Sequence, residues 1–241
     1  MAVGALVWDA EGQKFYEIGV DHGVIYPNDA SGQRQSGVAW NGLTAVTDRP
    51  SGGEPNALWA DNIKYCEMVS SQEHGITIEA YMFPDVFYPC MGMKKVGGGA
   101  YISMQQKTRF SFSWRSRIGN DVLNDKFSYK LHIAYNCLAG PSERNHQTVN
   151  ESPDAETMSW ECSTLPMEVT HEGYEPTAKI EINANDMKNA GKEANLEAIE
   201  KLLYGTANTA PTLPNIDQLI DLMTAEDAAI QTLVNTILNG N

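Results

Sequence analysis

Long apolar runs are missing from this chain: nowhere do 18 consecutive apolar residues occur, so no transmembrane helix is expected. The first twenty residues carry neither a basic start nor an apolar block, so no secretion signal is expected and folding in a cytoplasm follows. Cysteine is scarce. Cys66, Cys90, Cys137 and Cys162 lie far apart, with no Cys-x-x-Cys pair and no His at ligand spacing, which points to free core thiols. Positive charge is short as well, with 17 Lys and Arg against 31 Asp and Glu and a net charge of −14. From residue 150 onward 16 carboxylates meet only 4 lysines, whereas 15 meet 13 cations before it. Gripping nucleic acid requires clustered cations that release counterions, so a DNA- or RNA-binding role is disfavoured. An acidic surface either repels DNA or simply keeps the monomer soluble.

Catalytic signatures are absent too. The five histidines are scattered, without the i, i+4 spacing that puts two ligands on one helical face. No Gly-x-Ser-x-Gly elbow and no Gly-x-x-x-x-Gly-Lys-Ser/Thr loop occurs, and Gly97-Gly-Gly99 lacks a strand-to-helix setting, so it reads as a hairpin tip. Paired carboxylates for glycoside hydrolysis stay open, because sequence does not give their separation. The expectation is a protein that is not an enzyme, with no metal and no cofactor.

What the chain has is alternation. Over residues 107–117 a period of two puts Phe110, Phe112 and Trp114 on one face and Lys107, Arg109, Ser111, Ser113, Arg115 and Arg117 on the other. That predicts a half-buried strand with a cationic outer face. Phe127, Tyr129, Leu131, Ile133 and Tyr135 repeat the pattern after a Gly119-Asn-Asp121 turn, so the two runs should pair as an antiparallel hairpin. Short strands are expected at 14–20 and 23–26, a type I′ hairpin around Asn41-Gly42, and strands at 63–69 and 76–82 joined by a turn at 70–73. Alternation returns at 157–164 and 177–183. Residues 48–62 read as a long loop carrying Leu58 and Trp59, and large apolar side chains in a loop need a surface on which to bury. Pro84 opens a short helix to Cys90 with Phe83, Val86 and Phe87 inward. The polar connection at 141–153 holds an Asn-Glu-Ser triplet at 150–152, without meaning for glycosylation in a cytosolic chain.

After Gly191 the period becomes 3.6. Leu196, Ile199, Leu202 and Leu203 form one stripe and Gly205 stops it, giving a helix over 192–204. Two smaller helices follow at about 215–223, with Ile216, Leu219, Ile220 and Met223, and 225–238, with Ile230, Leu233, Val234, Ile237 and Leu238; Thr224-Ala-Glu-Asp227 resembles a capping box. Such stripes cannot bury themselves, so they dock on their own body or on a neighbour. The chain is therefore expected as a mainly β (α+β) domain over 1–185 with a helical C-terminal extension over 186–241, one sizeable core or one core plus a small appendage.

The phrases Glu54-Pro-Asn-Ala-Leu-Trp-Ala-Asp-Asn-Ile-Lys-Tyr65, Thr77-Ile-Glu-Ala-Tyr81, Pro84-Asp-Val-Phe87, Ile118-Gly-Asn-Asp121, Tyr129-Lys-Leu-His132, Ala139-Gly-Pro-Ser-Glu143, Thr148-Val-Asn-Glu-Ser-Pro153 and Met158-Ser-Trp-Glu161 resemble the major tail proteins of long, non-contractile-tailed phages. The resemblance runs over residues 15–222, excluding the triple glycine and the segment after Thr224. It implies an antiparallel β-sandwich or barrel flanked by a helix, for which 84–90 is a candidate, and a long loop or hairpin reaching the neighbouring ring. It implies a virion protein, self-assembled as stacked hexameric rings into a tail tube, with a tape-measure protein, a tail terminator and tail-tip proteins as partners. Viral DNA would pass through the lumen without specific binding, and no membrane would be involved. Leu58, Trp59, Lys107, Arg109, Arg115, Arg117, Ile216, Leu219, Ile230 and Leu233 are the expected inter-subunit contacts, the cations facing another copy's acidic half. A carbohydrate- or receptor-binding module using Trp59, Tyr65 or Tyr101, and the tube of a phage-like bacteriocin, are the alternatives.

Overall fold

The computed structural model describes residues 5–148 and 155–239, so the triplet at 150–152 lies outside the described residues. Strand outweighs helix two to one, 41% against 20%, which makes the fold mainly β. The chain runs β1 (Phe15–Pro27), β2 (Val38–Ala39), β3 (Leu43–Asp48), β4 (Ser51–Gly52), β5 (Pro55–Ala60), β6 (Ile63–Val69), β7 (Gln72–Glu73) and β8 (Gly75–Ala80). Two 3-10 turns, Asp85–Phe87 and Pro89–Met91, lead to β9 (Lys94–Gly97), β10 (Ala100–Ile102), β11 (Phe110–Asn120), β12 (Asn124–Ala139), β13 (Met158–Ser163) and β14 (Lys179–Asn183). Helices α1 (Ala184–Asn189), α2 (Glu193–Tyr204), α3 (Ile216–Thr224) and α4 (Asp227–Asn239) end it.

Eight of the strands form one antiparallel sheet in the order β2-β1-β11-β12-β13-β8-β3, with β14 also on β12. The expected hairpin is present: Ser113 pairs Ile133, Arg115 pairs Leu131 and Arg117 pairs Tyr129. Strand β12 has two sets of partners. Its middle, Lys130–Ala134, pairs β14, and its end, Leu138 and Ala139, pairs Ser163 and Cys162 of β13. Between them Asn136 takes a left-handed φ of 50°, a bulge that lets the strand bend. The sheet thereby curls around a core of Ile25, Trp40, Ile76, Ile78, Phe112 and Trp160. Trp40 and Trp160 meet edge to face at 5.5 Å, and Phe87 closes against both at 4.7 and 5.4 Å.

The opposite face of the same sheet is covered as well. Val24, Tyr26, Leu131, Ile133, Tyr135 and Ile182 pack under Leu196, Ile199, Leu203, Ile216, Leu219 and Ile237 of the helices. This second core corrects the reading of β11 as a half-buried strand. Ser111 and Ser113, expected outside, are 1% and 2% exposed, because the helical layer lies over them. Their small side chains admit Tyr26, whose hydroxyl donates to the Leu203 carbonyl at 2.8 Å and ties sheet to helix.

Of the stripe residues offered as inter-subunit contacts, Ile216 and Leu219 belong to this intramolecular core, Leu233 packs half-buried against it, and Ile230 is buried within the chain. Their docking is in cis. Asn195, fully buried, fixes it by donating to the carbonyls of Leu222 at 2.7 Å and Ala225 at 2.9 Å. The capping box sits at Asn215 and Gln218 at the start of α3; Thr224 instead donates back to Ile220 O at 2.8 Å. Other local expectations shift too. The two short strands expected at 14–20 and 23–26 are one long strand, β1, with bulges at Gly19 and His22. Around Asn41-Gly42 there is no hairpin, since β2 pairs β1 and β3 pairs β8, and Trp40 pulls the chain between the layers with its indole donating to Met82 O at 2.8 Å. Pro84 caps a 3-10 turn rather than an α-helix, although Phe83 and Phe87 are buried as expected. The triple glycine forms the tip joining β9 and β10, with all three φ angles positive.

Candidate inter-subunit surfaces

Residues 48–62, expected as a loop, fold into the first half of a two-stranded arm. Asp61 and Asn62 both take left-handed φ values, 52° and 63°, as a type I′ turn requires, and β5 pairs β6 from Pro55 with Val69 to Ala60 with Ile63. Strand β6 therefore does not run into β8 through a turn at 70–73; Gln72 and Glu73 pair Gly52 and Ser51 at the foot of the arm. Residues directly opposite in an antiparallel pair share a face. Leu58 thus stands with Cys66, and Met68 with Asn56, on one face, while Val69 stands with Pro55 on the other. Trp59 pairs Lys64 across a bulge. No part of the body covers either side: Trp59 and Tyr65 are 70% exposed, Val69 66%, Ile63 63% and Met68 59%. An isolated two-stranded ribbon gains little from its own contacts, and a contiguous apolar surface of this kind marks an interaction site.

The sheet has open edges. Strand β14 pairs only β12, and β3 only β8, among the described residues, so each leaves a row of backbone groups unpaired on one side. The first half of β1 is a third such edge, with Phe15, Tyr16 and Ile18 exposed beside it.

The four expected cations divide into two pairs. Arg115 forks onto Asp21 at 2.7 and 3.2 Å with its guanidinium 4.8 Å over the Tyr129 ring, and Arg117 bonds Asp21 and Asp125 at 3.0 and 3.1 Å. Within the chain these two are already paired to carboxylates of its first half. Burial alone would raise the Asp21 carboxyl, but hydrogen bonds from Arg115, His22 and Arg117 hold it down at about 2. Lys107 and Arg109 donate to the carbonyls of Ala139 at 2.6 Å and Asn136 at 2.7 Å, and face an open groove of about 910 Å³ beneath the β9–β10 hairpin. Lys94 and Lys95 line that groove with Tyr88 and Tyr101, whose rings stack at 3.9 Å.

A polar cluster that alternation did not reveal joins five strands at one end of the curled sheet. Lys130 bridges Glu17 at 3.0 Å and Glu181 at 2.8 Å, Lys179 pairs with Asp48, and His132 lies against Trp114 with ring centroids 5.1 Å apart. His132 Nε2 meets Ser116 Oγ at 2.8 Å, and burial reinforced by Lys179 holds the imidazole below its ordinary value. Each carboxylate here faces a lysine, and no group of three metal-ligating side chains occurs among the described residues. The cluster acts as a clasp across the layers. Its trace in the sequence is the alternate positions of β12, Ser128, Lys130 and His132.

No family model matches the chain, and no curated protein matches it. Ten chains of solved structures match. One belongs to the sheath–tube complex, in the extended state, of an extracellular contractile injection system termed PVC, seen by electron cryo-microscopy. It is 12% identical, the alignment covers 67% of this chain and 88% of that one, and the TM-score is 0.28. So loose a superposition carries no argument about what this chain does.

Proposed function

We propose that this protein is a structural virion subunit that assembles into stacked hexameric rings and so builds the tail tube of a long, non-contractile-tailed phage. The observation that carries this reading is the β5–β6 arm, apolar on both faces and uncovered on both. A monomer has no use for such an arm. A subunit in an array does, because an arm with two apolar faces is buried only when neighbours close on it from both sides. The phrase-level resemblance to major tail proteins agrees with it, and so do the open edges of β14, β3 and β1, which strand-to-strand pairing around a ring would satisfy. The mechanism is mechanical: copies add, the tube lengthens around a tape-measure protein, and terminator and tip proteins close its ends. The acidic excess of the chain lets DNA slide without adhering. The tube of a phage-like bacteriocin would use the same subunit without genome passage.

Sedimentation velocity over a concentration series tests the reading. Cooperative growth into large particles is expected; a single monomer boundary at every concentration and with a tip-complex initiator present would overturn it. The exposure of Trp59 and Tyr65 favours one second reading, in which the arm stacks sugar rings as a carbohydrate-binding module. That reading predicts a monomer or trimer whose tryptophan fluorescence responds to host-cell glycans.

A further inference from the structure

We propose that the loop between β13 and β14 of one copy docks into the basic, tyrosine-walled groove beneath the β9–β10 hairpin of a second copy. This deepens the self-assembly reading and rests on it. In a chain with net charge −14, the groove gathers Lys94, Lys95, Lys107 and Arg109, none of which pairs with a carboxylate among the described residues. Asp29 and Asp85 also line it, but Asp29 is held within its own turn by Ser31, Gln33 and Gln35. The stacked Tyr88 and Tyr101 add an aromatic wall.

The loop is the complement. Its tip, Glu172-Gly-Tyr-Glu175, sets an exposed tyrosine between two carboxylates, with Gly173 at φ 90° forming the turn and Tyr174 61% exposed. Its base is held firmly: Met167 and Thr177 bridge, the Thr170 amide donates to Asp217 at 2.9 Å, and His171 lies 3.3 Å from Asp221. Glu172 and Glu175 have no cationic partner among the described residues. A rigid base that projects acid, aromatic and acid fits a groove that offers lysine, aromatic and lysine. The tip does not line the groove of its own chain, so the contact joins two different patches of two copies. Such a contact is heterologous and closes into a ring or runs on as a stack.

The test is charge reversal with crosslinking, on the full chain. K94E/K95E and E172K/E175K should each raise the concentration needed for assembly at least tenfold, and the quadruple exchange should restore it; circular dichroism checks that each variant folds. Zero-length carbodiimide coupling of assembled wild-type protein, mixed from isotopically light and heavy copies, should link Lys94 or Lys95 to Glu172 or Glu175 between copies. Wild-type particles with no such crosslink, together with reversals that assemble normally, would overturn the docking and leave the tube reading standing. A wild-type chain that never associates would overturn both.

Discussion

Replacing Trp59 and Tyr65 together by serine separates assembly from folding. Both side chains are 70% exposed, so of the roughly 200 Å² an aromatic residue can bury, about 140 Å² apiece still faces water. At about 25 cal/mol per Å² this is worth about 3.5 kcal/mol for each residue if neighbours cover it fully. Ordering the arm and imperfect coverage take back somewhat more than half, leaving about 3 kcal/mol for the pair, or roughly a hundredfold in association. The monomer should hardly notice, since surface changes away from packed features stay within about 0.5 kcal/mol. Sedimentation velocity should therefore show a critical concentration raised about a hundredfold, and thermal unfolding of the dilute protein a midpoint moved by less than about 2 °C. A midpoint lowered by several degrees would mean that the arm packs on its own body, and an unchanged critical concentration would mean that it is no joint.

Asn195→Ala leaves the buried Leu222 carbonyl without its donor, while Lys192 still donates to Ala225 O at 2.7 Å, and should cost about 1–2 kcal/mol in denaturant unfolding, loosening α3 and α4 first. Asp21, with a folded value of about 2 against 3.8 unfolded, contributes stability that is full above about pH 4 and is lost as pH falls through 2; D21N should remove about 2 kcal/mol at pH 6 and flatten the acid limb of the stability curve. Cys66 alone among the four cysteines is exposed, while burial pushes the Cys90 thiol up to about 11 and Cys162 up to about 12. A thiol reagent at pH 8 should therefore titrate one fast equivalent in the monomer, and that equivalent should become protected on assembly, because Cys66 lies on the arm.

Local periodicity made part of the fold legible. The β11–β12 hairpin and helix α2 stand where alternation and the 3.6-residue stripe put them, since both patterns are set by near neighbours in sequence. Two of the errors share a cause, which is that a long-range partner decided the outcome. Ser111 and Ser113 look solvent-facing until the helical layer arrives over them, and Asn41-Gly42 looks like a hairpin until Trp40 commits to the core between layers. The arm was hidden by its own foot, where Pro50, Gly52, Gly53 and Pro55 gave residues 48–62 the composition of a loop; Asp61-Asn62, flanked by Ala60 and Ile63, was the overlooked turn. Of the expected contacts, Leu58 and Trp59 stand exposed on one arm, Lys107 and Arg109 line one groove, and the other six serve the chain's own interior or ion pairs.

Negative-stain electron microscopy of the purified protein across a concentration series tests the central claim most directly. Rings and hollow tubes of constant diameter that lengthen with concentration are the predicted result. Separate compact particles of monomer size at every concentration, with a tail-tip initiator added, would contradict it.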